Sequence, residues 1–113
     1  MEIRKILEII LDHIIRLEQR CSGTTLYEFL NDRDTLEIGA FNVEHLGEEA
    51  NKLPKDFTDL YPEVPWKQMR GMRNRIAHNY YGTEKDILWQ IINEDITELH
   101  EQIEKIINDI NNN

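Results

Sequence analysis

From Glu2 to about Arg20 the apolar residues Ile3, Ile6, Ile10, Ile14 and Leu17 recur three and four apart. That is the period of one helix face, and it predicts an amphipathic helix. Ile9, Leu11 and Ile15 widen the stripe, so this helix is expected to be contacted on two sides, in the centre of a bundle or across a subunit boundary. Ser22-Gly23-Thr24 breaks the pattern, and Thr24 with Glu28 following Leu26 predicts a short helix through Leu30 that ends at Asn31-Asp32. Asp34 then reads as the N-cap of a third helix carrying Leu36, Ala40, Val43, Leu46, Gly47 and Ala50, which Pro54 stops. Gly47 reads as a close-packing position.

Between Pro54 and Pro65, prolines and the acids Asp56, Asp59 and Glu63 mark the longest connection, with Phe57, Leu60 and Tyr61 expected to pin it to the core. Pro65 suits the first turn of the next helix. Along that helix Trp66, Met69, Met72, Ile76 and Tyr80 share one side. Tyr80-Tyr81-Gly82 reads as a turn, Thr83 as a cap and Asp86 as the capping-box acid of a last helix. There Ile87, Ile91 or Ile92, Ile96, Leu99, Ile103, Ile106 and Ile110 form a long regular seam expected to pack on the first helix, before a fraying Asn111-Asn112-Asn113 tail. The pattern predicts an all-α, up-down bundle of four to five helices in a single domain spanning residues 1–113. At 113 residues, 40% apolar and 31% charged, the chain suits one core, complete in itself or with a partner copy.

Charge changes the picture. The formal net charge is -9, yet no acidic residue lies between Val64 and Thr83, while Lys67, Arg70, Arg73, Arg75 and His78 do. Guanidinium groups pair with phosphate oxygens through parallel hydrogen bonds, so a phosphate-bearing partner is expected there. Arg73 projects from the middle of the apolar stripe, where a guanidinium must be paired or reach a cleft. Taken alone it reads as a snorkelling or carboxylate-paired residue. His78 follows five positions later, roughly 140° away on a regular helix. Two arrangements bring the pair together: the helix ends near Ala77 and the chain turns at His78, or two copies meet and line one groove with both pairs.

Arg73-Asn74-Arg75-Ile76-Ala77-His78-Asn79-Tyr80 reads R-x4-H-x-Y and resembles the signature of HepT-like toxins in the HEPN superfamily of small all-helical ribonucleases. The likeness extends to Leu46-Gly47-Glu48-Glu49-Ala50 and to Pro65-Trp66 leading into Gly71-Met72-Arg73-Asn74, and so covers most of the chain. Glu49, where alanine is usual, and Asn79, often glycine, depart from the pattern. The resemblance implies a dimeric HEPN-like fold and metal-independent RNA cleavage, with no cofactor, by attack of the ribose 2′-hydroxyl on the adjacent phosphate. His78 has the intrinsic pKa for proton exchange near neutrality, and Arg73 suits the charge on the phosphorane oxygens. Asn74, four residues before His78, is a candidate to hold the imidazole or the phosphate. Arg70 and Arg75 would bind the RNA backbone without reading its sequence. Tyr80 reads structurally as the end of the apolar stripe. The resemblance makes it the target of AMP transfer by a cognate minimal nucleotidyltransferase antitoxin, in a type VII-like toxin–antitoxin pair. The competing class is a non-catalytic nucleotide-binding module or accessory subunit of such a nucleotidyltransferase. RNA, with tRNA and mRNA as candidates, is then the expected substrate, with no DNA and no membrane involved.

Other chemistries are less well supported. No histidine has an acid three residues before it, so the Glu-x-x-His pattern of helical di-iron sites is missing and no metal is expected. His45 reads as part of a solvated helix face, and His13 and His100 as surface or packing residues. Trp66 and Trp89 read as core or interface anchors. Cys21, the single cysteine, has no neighbours in sequence that would activate it and suits a reducing compartment. With no membrane-length apolar run and no signal-peptide pattern, a cytoplasmic protein is expected.

Overall fold

The computed structural model describes residues 2–21, 23–79 and 85–112, the side chains of 73–79 and of residue 87 excepted. The first helix, α1, spans Ile3–Cys21 and buries Ile6, Leu7, Ile10, Ile14, Leu17 and Cys21. After Gly23, whose φ of 83° is the left-handed turn conformation that favours glycine, come α2 (Leu26–Asn31) and α3 (Arg33–Ala50). The short α4 (Lys55–Thr58) lies in the connection to α5 (Trp66–Asn79). The last segment runs as α6 (Lys85–Gln90), a π-helical turn (Ile91–Asp95) and α7 (Ile96–Asn111). The fold is all-α, and no strand occurs among the described residues.

The long helices stand side by side in the order α5, α3, α1, α7. Contact on both flanks of α1, expected from its wide stripe, makes it one of the two inner helices, with α3 the other. Arg4 reaches Asn111 near one end of the α1–α7 pair and His100 reaches Glu18 nearer the other, so these two helices are antiparallel. Helix α5 begins beside the last turn of α3, where Arg70 meets Ala50, and packs extensively along α3. It must therefore run back down α3, antiparallel to it.

Several local readings are corrected. The cap of α2 is Thr25, whose Oγ1 accepts from the Glu28 amide at 3.1 Å, while Thr24 donates back to the Cys21 carbonyl. The cap of α3 is Asp32, not Asp34: its Oδ1 accepts from the Asp34 and Thr35 amides, and Oδ2 accepts from the Thr35 hydroxyl. Both shifts place the side-chain oxygen two or three residues before the amide it satisfies. Pro65 stands just ahead of α5, its carbonyl accepting from the Met69 amide. Phe57 and Tyr61 do pin the long connection, but Leu60 is 71% exposed and Thr58 and Val64 are the buried members. Asn111 is still helical. The proposed Tyr80-Tyr81-Gly82 turn and Thr83 cap lie outside the described residues.

The final helix is not one regular seam. A π turn carries more residues per turn than an α-helix, and within this one Ile91 and Ile92 are both buried. Ile92 leans on Gly39 of α3: a Cβ built there would stand 2.9 Å from the Ile92 Cδ1 and 3.4 Å from the Phe29 ring. Gly39 thus permits a close approach of α3 to this turn. Gly47 is buried on α3 as well.

Candidate active site on α5

Helix α5 carries Arg73, Asn74, Arg75 and His78, and its backbone is helical as far as Asn79. The arrangement in which the helix ends near Ala77 is therefore not adopted. Along an unbroken helix, positions 73 and 78 are about 7.5 Å apart in height and about 140° apart in azimuth. The side chains of these four residues, and Tyr80 as a whole, lie outside the described set. The start of α5 is well anchored. Trp66, Met69 and Met72 are buried, and the Trp66 indole donates to the Tyr61 carbonyl at 3.0 Å. Arg70 is half-buried and spans two main-chain acceptors: its Nε donates to the Ala50 carbonyl and its Nη2 to the Leu53 carbonyl, each at 3.4 Å. Lys67 is exposed. Glu49 forms an ion pair with Lys52 at 3.0 Å, which accommodates a carboxylate on the last turn of α3.

The remaining titratable candidates have structural tasks. Asn42 is buried, and its Nδ2 donates to the Ile38 carbonyl. Its Oδ1 therefore accepts, and His13 Nδ1, 2.8 Å away, is the donor. His45 Nδ1 likewise donates to the Phe41 carbonyl at 2.8 Å, and its ring stacks on Phe41 at 4.1 Å, so it is not simply solvated. Burial pulls the His100 imidazole downward, but the hydrogen bond and charge of Glu18, together with Glu104, outweigh that and leave its pKa raised. Burial pushes the Cys21 thiol up to about 11, which keeps it protonated and a poor nucleophile. Among the described residues no group of three or more side chains could hold a metal ion. A groove of about 1080 Å³ beside α1 and α3 is edged by Arg16, Arg20, Asp34, Glu37 and Glu44. Its mixed signs do not suit an anion as the acid-free segment does.

The sequence profile of the family described as "Ribonuclease HepT-like" matches residues 10–106, a span that includes every candidate on α5. The chain belongs to the HepT-like ribonuclease family. It is 34% identical over 109 residues to a "Putative RNase" of Methanocaldococcus jannaschii, a match covering 96% of this chain and 90% of that one. Identity is also 34% to a "Putative RNase" of Caldanaerobacter subterraneus subsp. tengcongensis, covering 86% and 90%. The "Probable ribonuclease HepT" of Thermococcus cleftensis is likewise 34% identical, covering 88% and 91%. No solved structure gives a significant match. Nuclease activity goes with membership of the HepT-like family, and the R-x4-H-x-Y block falls inside the matched span.

Two contacts escaped the sequence reading. Nothing in the sequence distinguishes Arg70 from Arg75, because a main-chain acceptor leaves no trace in residue types. Asn42 did leave a signal: it lies three residues after Gly39 and four before Leu46, on the buried stripe of α3.

Proposed function

We propose that this HepT-like chain is a metal-independent endoribonuclease in which two copies bring Arg73 and His78 together over one phosphodiester. The 2′-oxygen attacks phosphorus as its proton passes to a base, the bond to the 5′-oxygen breaks, and that oxygen takes up a proton. The products are a 2′,3′-cyclic phosphate and a 5′-hydroxyl. His78 supplies proton transfer, with the histidines of two copies dividing the base and acid roles. Arg73 stabilises the phosphorane charge. Asn74 steadies the imidazole or the phosphate, and Arg75 adds affinity for the RNA backbone. The observation that carries this reading is an unbroken helix bearing the R-x4-H block in the acid-free segment of a family member with net charge -9. The separation of positions 73 and 78 in azimuth along that helix supports a second copy as the means of joining them.

In the same reading the protein is the cytoplasmic toxin of a toxin–antitoxin pair. Transfer of AMP to Tyr80 by a nucleotidyltransferase antitoxin adds a bulky anion beside the cationic pair, which repels RNA. No helix among the described residues is long and apolar enough to cross a membrane. The same azimuthal separation favours one second reading, a nucleotide-binding accessory subunit in which a single copy uses the arginines only to hold phosphate.

Cleavage of RNA by purified protein distinguishes them. His78→Ala and Arg73→Ala are each expected to slow cleavage by about 10² to 10⁴ while leaving the circular dichroism spectrum unchanged. Equal cleavage by all three proteins excludes the site. Absence of cleavage in unmodified wild type, with nucleotide still bound, selects the second reading. Co-expression with the nucleotidyltransferase should add the mass of one or more adenylates, and Tyr80→Phe should abolish that increase.

A further inference from the structure

Arg70 belongs to the same cationic segment as Arg73 and Arg75, but its partners are different. Its acceptors are the carbonyl of Ala50, the last residue of α3, and that of Leu53, three residues on. The Ala50 carbonyl already accepts from the Leu53 amide at 3.2 Å, but it sits at the negative end of the α3 dipole and has a second lone pair, so a cation is favoured there. A guanidinium is a rigid planar fork. Held through both Nε and Nη2, it fixes the rotation as well as the height of the helix that carries it.

We propose that Arg70 is a positioning residue: by gripping the end of α3 it sets the rotation of α5, and so the aim of Arg73 and His78, without itself holding RNA phosphate. The inference rests on the nuclease reading for its catalytic consequence, though not for the grip itself. Position 73 is one turn beyond Arg70 and position 78 more than two. Side chains end about 5–6 Å from a helix axis, so a rotation of α5 by roughly 10° displaces them by about 1 Å. Misplacement of that size costs on the order of 10²-fold in rate. Trp66, Met69 and Met72 hold α5 against the core, but apolar contacts lack the direction of a two-point hydrogen bond.

Two substitutions separate positioning from phosphate binding. Arg70→Lys keeps the charge and loses the fork, so a phosphate contact largely survives it and the grip does not. Arg70→Met keeps the length and removes both. Positioning predicts that each lowers kcat at least 10-fold with little change in KM. The salt dependence of single-stranded RNA binding should keep its slope in Arg70→Met, and amide hydrogen exchange along backbone 73–79 should quicken while α1 and α7 keep their protection. Unchanged kcat in Arg70→Lys, with a salt slope flatter by about 0.7 in Arg70→Met, identifies a phosphate contact and overturns the proposal. Unchanged exchange along 73–79 in both variants overturns it also. If wild type cleaves no RNA, the nuclease reading falls, and the exchange comparison still decides the grip.

Discussion

Phe29 joins three parts of the fold. Its ring is fully buried, packs on Trp89 with centroids 5.5 Å apart, and fills the space that Gly39 leaves open on α3. Truncation removes contacts from helices that cannot all move in to replace them, so Phe29→Ala should destabilise by about 3–5 kcal/mol. Urea denaturation followed by circular dichroism measures this, and a loss below 1 kcal/mol would show that the cluster repacks freely. Gly39 is a finer balance. Alanine there gains up to about 1 kcal/mol of helix propensity, while crowding costs about 1–3 kcal/mol. The atom met at 2.9 Å is the mobile end of Ile92, which puts the crowding cost at the low end.

At the scale of elements, helix positions were legible wherever a single face is buried, as on α1, α3 and the stretch of α7 from Ile96 to Ile106. Periodicity is set by burial, and burial is what the apolar residues record. Caps were read less well. Thr24 beside Thr25, and Asp32 beside Asp34, offer the same side-chain oxygen, and only the backbone angles decide which is used; Asp32 has the extended φ of -107° that a cap requires. For the candidate site on α5, residue types and spacing single out Arg73 and His78, but they do not say where the helix stops, and the backbone continues to Asn79. Gly71 is interior to α5, and a Cβ built there meets nothing within 4 Å. Gly71→Ala should therefore stabilise the protein by about 0.5–1 kcal/mol through helix propensity alone, read as a higher urea midpoint with unchanged slope. A fall in stability would mean that a neighbour needs that space.

Across the whole molecule, the α1–α7 pair carries a pH-dependent tie. The His100 pKa is raised above its ordinary 6.5 by Glu18 and Glu104, against the opposing pull of burial. A group bound more tightly to its proton in the folded state stabilises fully below the unfolded pKa, and loses that contribution as pH rises through the folded one. Stability should therefore decline as pH rises from about 6.5 through the raised value, and His100→Asn should flatten that part of the profile. Urea midpoints at closely spaced pH values test this; a wild-type profile as flat as the variant's would remove the tie. Charge also acts at this scale. A chain of net charge -9 repels polyanions generally, so RNA is expected to be admitted only along the acid-free stretch of α5.

The wide turn at Ile91–Asp95 has a consequence for how the chain tolerates changes in length. A π turn behaves as an α-helix into which one extra residue has been admitted. Deleting one residue from it would restore the ordinary pitch and leave the α7 seam in place. Because the wide turn absorbs that residue locally, α6 would also keep its facing and Leu88 its place in the core. The turn thus confines a change of length to one place while α6 and α7 go on facing a single interior.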